Sequence, residues 1–252
     1  GYMNKTTIQT PHIDCLANDG TVFTNMYATS AISCCSRASI FTGMYNRRNG
    51  ITDFSGTLRG EALKNTYPML MKDNGYYVGF IGKYGVGNYL PQKYYRLFPE
   101  SFRKDGKWEN EGYVRFKNRY GTDEKYQSSV KGYYRLIAGI DEAIGKLRKR
   151  LKEMGLDKNT LIIFTSDNGY YLGEHGLEGK WYGHEESIRL PLVIYDPRLE
   201  KPVKKIDEIA LNIDLTSTML DYAGIRQLEK MQGESLRPLM EGKKIKWRQE
   251  FL

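Results

Sequence analysis

The chain has 252 residues, enough for one large domain or two small ones. Apolar residues make up 40% of it, too many for a disordered chain, and no stretch approaches the ~20 consecutive apolar residues of a membrane helix. Lys plus Arg number 38 against 30 Asp plus Glu, and the resulting +8 favours anionic ligands without choosing among nucleic acid, phosphate, sulfate and acidic glycans. Three cysteines, with Cys34 beside Cys35 and Cys15 alone, cannot build a disulfide scaffold. The opening GYMNKTTIQT has no apolar core of the signal-peptide kind.

In chain order, Ser30 to Gly43 (SAISCCSRASIFTG) reads as a turn feeding a helix. Ser33 is placed to cap it, and Arg37 lies one turn on. The run from Ala62 to Gly75 is helix-like, and GYYVGFIG, Gly75 to Gly82, is a short apolar strand. From Asn88 to Tyr126 there is no clear period, which is suspicious inside a compact domain. Tyr133, Leu136, Ile137, Ile140, Ile144, Leu147, Leu151 and Met154 form one apolar stripe, predicting a helix from about Ser129 to Met154 that stops at Gly155. Its basic run, Lys146 to Lys152, lies mostly off that stripe near a helix C-terminus, so it reads as a solvated face rather than a nucleic-acid surface. Leu161 to Thr165 and Pro191 to Asp196 are apolar strands, and Asp214 to Tyr222 is a further helix. Strands alternating with helices predict an α/β fold with a largely parallel central sheet flanked by helices. Sites in such sheets form beyond the carboxyl ends of strands, where Asp167, Asn168 and Lys83 fall.

Taken alone, Ser33 and Arg37 describe a capped surface helix. The whole string says more. Ser33, Cys34, Cys35, Ser36 and Arg37, followed by ASIFTG, resemble the signature of the formylglycine-dependent sulfatases of the alkaline-phosphatase-like superfamily. The register puts Ser33, not either cysteine, at the modified position. The flanks agree: Thr10 to Ser30 resembles the family's lead-in, and MYNRRNGI, Met44 to Ile51, its exit. Gly75 to Gly87 resembles the block that supplies a substrate-facing lysine, here Lys83. Thr160 to Arg198 resembles the block with a metal-binding Asp and Asn or His and then a sulfate-contacting Lys, here Asp167, Asn168 and Lys180. NIDLTSTMLDYAGI and MQGESLRPLMEG resemble the closing segments.

The resemblance implies a sulfatase catalytic domain over residues 1–252, acting on a sulfated carbohydrate through a formylglycine made from Ser33 by a maturase. It implies a divalent cation, usually calcium in that family, held by Asp167, Asn168 and the Ser33-derived group. Arg37, Lys83 and Lys180 would neutralise the sulfate, and His184 would face the sugar. A periplasmic or extracellular setting is implied, with no nucleic-acid partner and no membrane span. Gly82-Lys83-Tyr84 and the paired cysteines resemble N-acetylglucosamine-6-sulfatase-like members and tilt the substrate toward a sulfated amino sugar. A phosphoester or phosphonate hydrolase and an inactive glycan-binding protein are the alternatives.

Some features depart from the family pattern. The strand ending in paired Asp ligands, a His-bearing strand between Lys83 and the long helix, and a C-terminal subdomain are missing, and Gly85 stands where many members place a His. The chain is therefore expected to be incomplete, with a junction between about Gly87 and Pro91. Asn4-Lys5-Thr6 is an N-glycosylation sequon, without meaning in a bacterial protein.

Overall fold

The computed structural model describes residues 8–81, 83–86 and 111–251. The expected junction between Gly87 and Pro91 and the Asn4 sequon lie outside these residues. The described elements are α1 (Pro11–Asp19), β1 (Thr21–Tyr27), α2 (Ser33–Thr42), α3 (Asn46–Asn49), α4 (Gly60–Lys64), α5 (Tyr67–Asp73), α6 (Glu111–Tyr120), α7 (Asp123–Glu153), β2 (Ile162–Thr165), β3 (Tyr171–Leu172), β4 (Glu178–Gly179), α8 (Glu185–Ile188), β5 (Arg189–Tyr195), β6 (Lys205–Ile206), β7 (Ala210–Leu211), α9 (Asp214–Tyr222) and α10 (Arg237–Met240).

The main sheet runs β2-β5-β1-β6, and β7 pairs further along the same edge of β1. β5 is antiparallel to both β2 and β1, whereas β6 and β7 are parallel to β1. Four strands therefore point one way, and β5 runs against them between β2 and β1. The sequence alternation gives no sign of this reversal. Leu190, Leu192, Val193 and Ile194 of β5 are all essentially inaccessible, as a strand covered on both faces requires. Leu192 and Ile194 join Phe23, Met26, Leu215, Leu236 and Met240 on one face. Val193 joins Leu16 and Ala17, with Ile144 packed on them, on the other. A two-residue side-chain period thus serves helices on both sides.

The long helix begins earlier than its apolar stripe predicts. Thr122 Oγ1 accepts from Lys125 N at 3.3 Å, and Asp123 and Glu124 complement the first turn. The aperiodic stretch before it contains α6, and the Ala62–Gly75 helix is two pieces, split at Asn65–Thr66 before Pro68. α7 is also less buried than expected: Leu136 is 71% exposed, and Ile140 and Leu147 are half exposed. It is held instead through α1. Asp141, buried, accepts from Ile13 N at 2.8 Å, and a Cβ at Gly145 would come within 2.6 Å of the His12 ring. In the basic run Lys146 pairs with Glu142, Arg148 with Asp19, and Lys149 and Arg150 with Glu153.

The strand expected over Gly75–Gly82 is not formed among its described residues. Residues 76–81 carry no regular structure and are exposed, with Tyr77 and Ile81 fully so. A β-rich composition specifies a strand only where a neighbouring edge supplies hydrogen bonds, and no pairing to this stretch exists among the described residues.

The carboxyl end of the fold is tied in by one buried ion pair. Asp214, fully buried at the start of α9, accepts from Leu211 N at 2.7 Å and Glu234 N at 2.9 Å, and Arg248 grips it with both terminal nitrogens. Removing one partner of such a pair strands the other charge. Arg248→Met is expected to lower the unfolding free energy by about 3 kcal/mol in a urea titration. A loss below about 1 kcal/mol would mean that the two amide donors alone satisfy Asp214.

Candidate active site

Because β1, β2 and β7 share one direction, their carboxyl ends open on one edge of the sheet. The loop after β1 leads into α2, the loop after β2 carries Asp167 and Asn168, and the residue after β7 is Asn212. Asn212 locks the first of these. Fully buried, it accepts from Thr29 N at 3.1 Å and donates Nδ2–H to Ser36 Oγ at 2.9 Å and Ser36 O at 3.2 Å.

Ser33 is the first residue of α2 and is 3% exposed. The expected cap falls one residue earlier, since Ile32 occupies that position and provides no side-chain bond. Ser33 therefore sits in the first turn, among the amide N–H groups that a helix leaves without intrahelical partners. Cys34 and Cys35 are buried against Ala38, Phe41, Ile51, Leu58 and Val86. Burial, with Cys34 adjacent, pushes the Cys35 thiol up to about 12, which leaves it a packing residue rather than a nucleophile.

Arg37 lies four residues after Ser33, on the same side of α2. Its guanidinium donates Nε–H to Tyr84 O at 2.8 Å, one terminal nitrogen to Gly85 O at 3.1 Å, and the other to the Asp167 carboxylate. The Tyr84 ring packs on Phe41 of α2, with centroids 5.2 Å apart, and Val86 is fully buried, which fixes the 83–86 segment against the helix. Gly85 has φ +52°, and a Cβ there would fall 2.4 Å from an Arg37 terminal nitrogen and 3.2 Å from Lys83 Cε. Any residue but glycine would displace the guanidinium. That is the physical content of a glycine where a histidine was expected.

Lys180, just after β4, donates to Asn168 Oδ1 at 3.0 Å. Burial holds its pKa below the ordinary lysine range. Asp167 opposes that shift, while Arg37, Lys83 and Arg115 reinforce it by like charge. Hydrogen bonds thus join Arg37 to Asp167 and Lys180 to Asn168 in a cationic cup between α2 and the end of β2, with Lys83 close enough to act on Lys180. His184 is placed differently. Its Nδ1 lies 2.8 Å from Tyr171 Oη, and its ring lies 4.3 Å from that of His175, which in turn meets Glu186. Its described partners are thus a histidine–tyrosine cluster rather than the cationic cup.

Asp167 and Asn168 carry hard oxygen donors of the type calcium takes, one oxygen engaged by Arg37 and the other by Lys180. They fit it in kind, as two of six to eight ligands. Among the described residues no cluster of three or more His, Cys, Asp or Glu could hold a metal, so the rest of such a shell must come from substrate, water or residues outside the described set. Sequence reasoning missed Asn212, Arg115 and Trp181. Asn212 was inside a recognised block but carried no chemical signal of its own, and Arg115 fell in the aperiodic stretch.

The comparisons agree with this arrangement. The chain is 25% identical, over 374 aligned positions, to an N-acetylglucosamine-6-O-sulfatase of Bacteroides thetaiotaomicron, covering 93% of this chain and 67% of the relative. That alignment is longer than the chain, so it spans stretches of the relative with no counterpart here. An ulvan-active sulfatase of Formosa agariphila is 27% identical over 286 positions, covering 97% of this chain and 55% of the relative. The chain thus spans between about half and two thirds of these relatives. Two solved structures share the fold. One, in complex with its substrate D-glucosamine-2-N,6-O-disulfate, superposes with a TM-score of 0.71 at 23% identity, covering 96% of this chain and 78% of that one. The other, a phosphonate monoester hydrolase from Silicibacter pomeroyi, has a TM-score of 0.68 at 19% identity, covering 96% and 74%. The family model named Sulfatase matches residues 2–116 and 90–225, most of the chain. The helix-borne Ser33 and Arg37 and the strand-end Asp167 and Asn168 thus lie within matched sequence, and the chain belongs to the sulfatase family.

Proposed function

We propose that this chain is the catalytic part of a sulfatase that removes sulfate from a sulfated carbohydrate. The observation that carries the reading is the cationic cup beside the first turn of α2: Arg37 paired with Asp167, Lys180 bonded to Asn168, and Lys83 close enough to act on Lys180. A sulfate ester is an anion, and cleaving it builds further charge on the departing oxygen. Fixed cations and helix amides in a partly dry site offset that charge without reorganising. Of the relatives, the N-acetylglucosamine-6-O-sulfatase supports a sulfated amino sugar as the substrate class.

The nucleophile we assign is Ser33, after a maturase removes two hydrogens from its side chain to leave formylglycine, whose hydrated form supplies the attacking hydroxyl. Arg37 holds its place through the carbonyls of Tyr84 and Gly85, so it can turn a terminal nitrogen from Asp167 to the sulfate without losing its position. Lys180 is directed by Asn168, and burial, which lowers its pKa, is a cost that an incoming sulfate offsets by favouring the charged form. Calcium is the metal we assign to the Asp167 and Asn168 oxygens, where it would add positive charge beside the sulfate.

Mass spectrometry of the tryptic peptide that ends at Arg37, from protein co-expressed with a maturase, should show the loss of two hydrogens at Ser33. The same protein should turn over an aryl sulfate faster than a phosphonate monoester, and Ser33→Ala should abolish that turnover. A preference for the phosphonate would instead favour the chemistry named for the Silicibacter structure. An unmodified Ser33 with no turnover of either ester would favour a binding protein.

Lys180→Ala should lower kcat by about 10²–10³, the usual consequence of removing one charge-stabilising donor. Gly85→Ala should lower kcat/KM by displacing Arg37, with little change in the urea midpoint, because residue 85 is partly exposed. Dialysis against a chelator should remove activity that added calcium restores. Full activity after chelation would sink the calcium assignment.

A further inference from the structure

A groove lies between the carboxyl half of β2 and the helices α1 and α7. It measures about 580 Å³, within the range of small-molecule sites. Ile13 of α1, Ile137 and Ile140 of α7, Phe164 of β2 and Pro191 of β5 line it. Tyr133 lines it too, its ring stacked on that of Tyr170 with centroids 5.6 Å apart. Ile140 is half exposed there, although its place in the apolar stripe calls for cover. Two charged residues of opposite sign complete the lining, and each is bonded to another group. Glu186 meets His175 at 3.3 Å, and Arg189 donates to Thr24 O at 2.8 Å. The groove thus offers apolar contact and no net charge.

Asn168 is the wall that the groove shares with the cup. It lines the groove, while its Oδ1 accepts from Lys180 Nζ at 3.0 Å. Ser166 Oγ donates to Asn168 O at 2.8 Å, and Asn168 Nδ2 donates to Gly169 O at 2.6 Å, which fixes that wall. An anion bound at Lys180 is therefore one side chain away from an apolar trough. Hydroxyl groups placed in it would give up water for few partners, whereas an apolar group gains by leaving water. We infer that this groove binds an uncharged apolar group joined to the sulfated sugar, so that the chain acts on sulfate esters of sugars bearing an aryl or acyl substituent. The inference rests on the sulfatase reading for the ester and adds the class of substituent to it. The groove residues take no part in the chemical step.

The test uses the unmodified chain and straight-chain alkanesulfonates, from methanesulfonate to octanesulfonate, whose anionic head matches the ester but is not cleaved. Calorimetric affinity should rise about two- to fourfold per added methylene, the upper figure corresponding to full burial. Ile140→Asn, at a half-exposed position that tolerates a polar side chain, should cut the ratio of octanesulfonate to methanesulfonate affinity by about fivefold or more and leave methanesulfonate within about twofold. Leu147→Asn, equally exposed on α7 but outside the groove, should leave the whole series unchanged. Lys180→Ala should weaken every member by one common factor with the slope intact. Affinity independent of chain length would overturn the inference. So would a slope that Ile140→Asn leaves alone, or one that Leu147→Asn lowers equally. Octanesulfonate binding that Lys180→Ala does not weaken would also overturn it, since the tail would then sit away from the cup. The slope is read without turnover, so a matured protein that cleaves no aryl sulfate would count against the sulfatase reading while the series still decides this one.

Discussion

Arg37 is the point on which the site depends. From α2, one guanidinium reaches three acceptors elsewhere in the chain: the carbonyls of Tyr84 and Gly85 and the carboxylate after β2. Its flat fork of donors can serve all three directions at once, which a lysine ammonium on a mobile stem would not hold. Several other features follow from it. Residue 85 must be glycine, because a Cβ would occupy the guanidinium's space. Tyr84 must present its carbonyl, which its ring secures by packing on Phe41. Asp167 is neutralised in place, so a carboxylate can stand in an otherwise cationic cup without repelling an anionic substrate.

The cup is positive by construction, and it is only partly dry. Lys180 is half-buried among like charges, and its hydrogen bond to Asn168 directs it. Cations held in this way attract an anion strongly because little water competes for them. His175 and His184 lean on each other and on Tyr171 and Glu186, forming a cluster that braces the loop leading into α8. Glu178 has a comparable structural role on the other side, where a fully buried carboxylate fastens α6 to the small ribbon and places Arg115 and Trp181 together.

The convergence of these groups is a consequence of strand direction. β5 runs against its neighbours, yet β1, β2 and β7 remain parallel to one another, so their carboxyl ends meet at one edge. Asn212 then joins two of those ends by bonding both the loop before α2 and the first turn of that helix. A buried, fully engaged amide of this kind holds a loop in one conformation, since any other would leave its polar atoms without partners.

The sequence by itself determined the local chemistry. The string around Ser33 and Arg37, the strand-end pair Asp167–Asn168 and the two lysines are short patterns that a local reading can find. The helices over α7 and α9 and the strands β2 and β5 were legible for the same reason, because periodicity is a local property, although β2 is only partly buried where its apolar run predicts burial on both faces. Tertiary structure decided everything that needs a partner. The 76–81 run has strand composition but no paired edge among the described residues, and so stays irregular and exposed. Leu136 and Ile140 carry the right period, but α7 is fastened through Asp141 and Gly145 and leaves them in solvent. The reversal of β5, the role of Asn212, the necessity of Gly85 and the meeting of Arg115 with Trp181 all join residues far apart in sequence. A one-dimensional pattern records which side chains are present, whereas distance, burial and the sharing of charge arise only when the chain closes on itself.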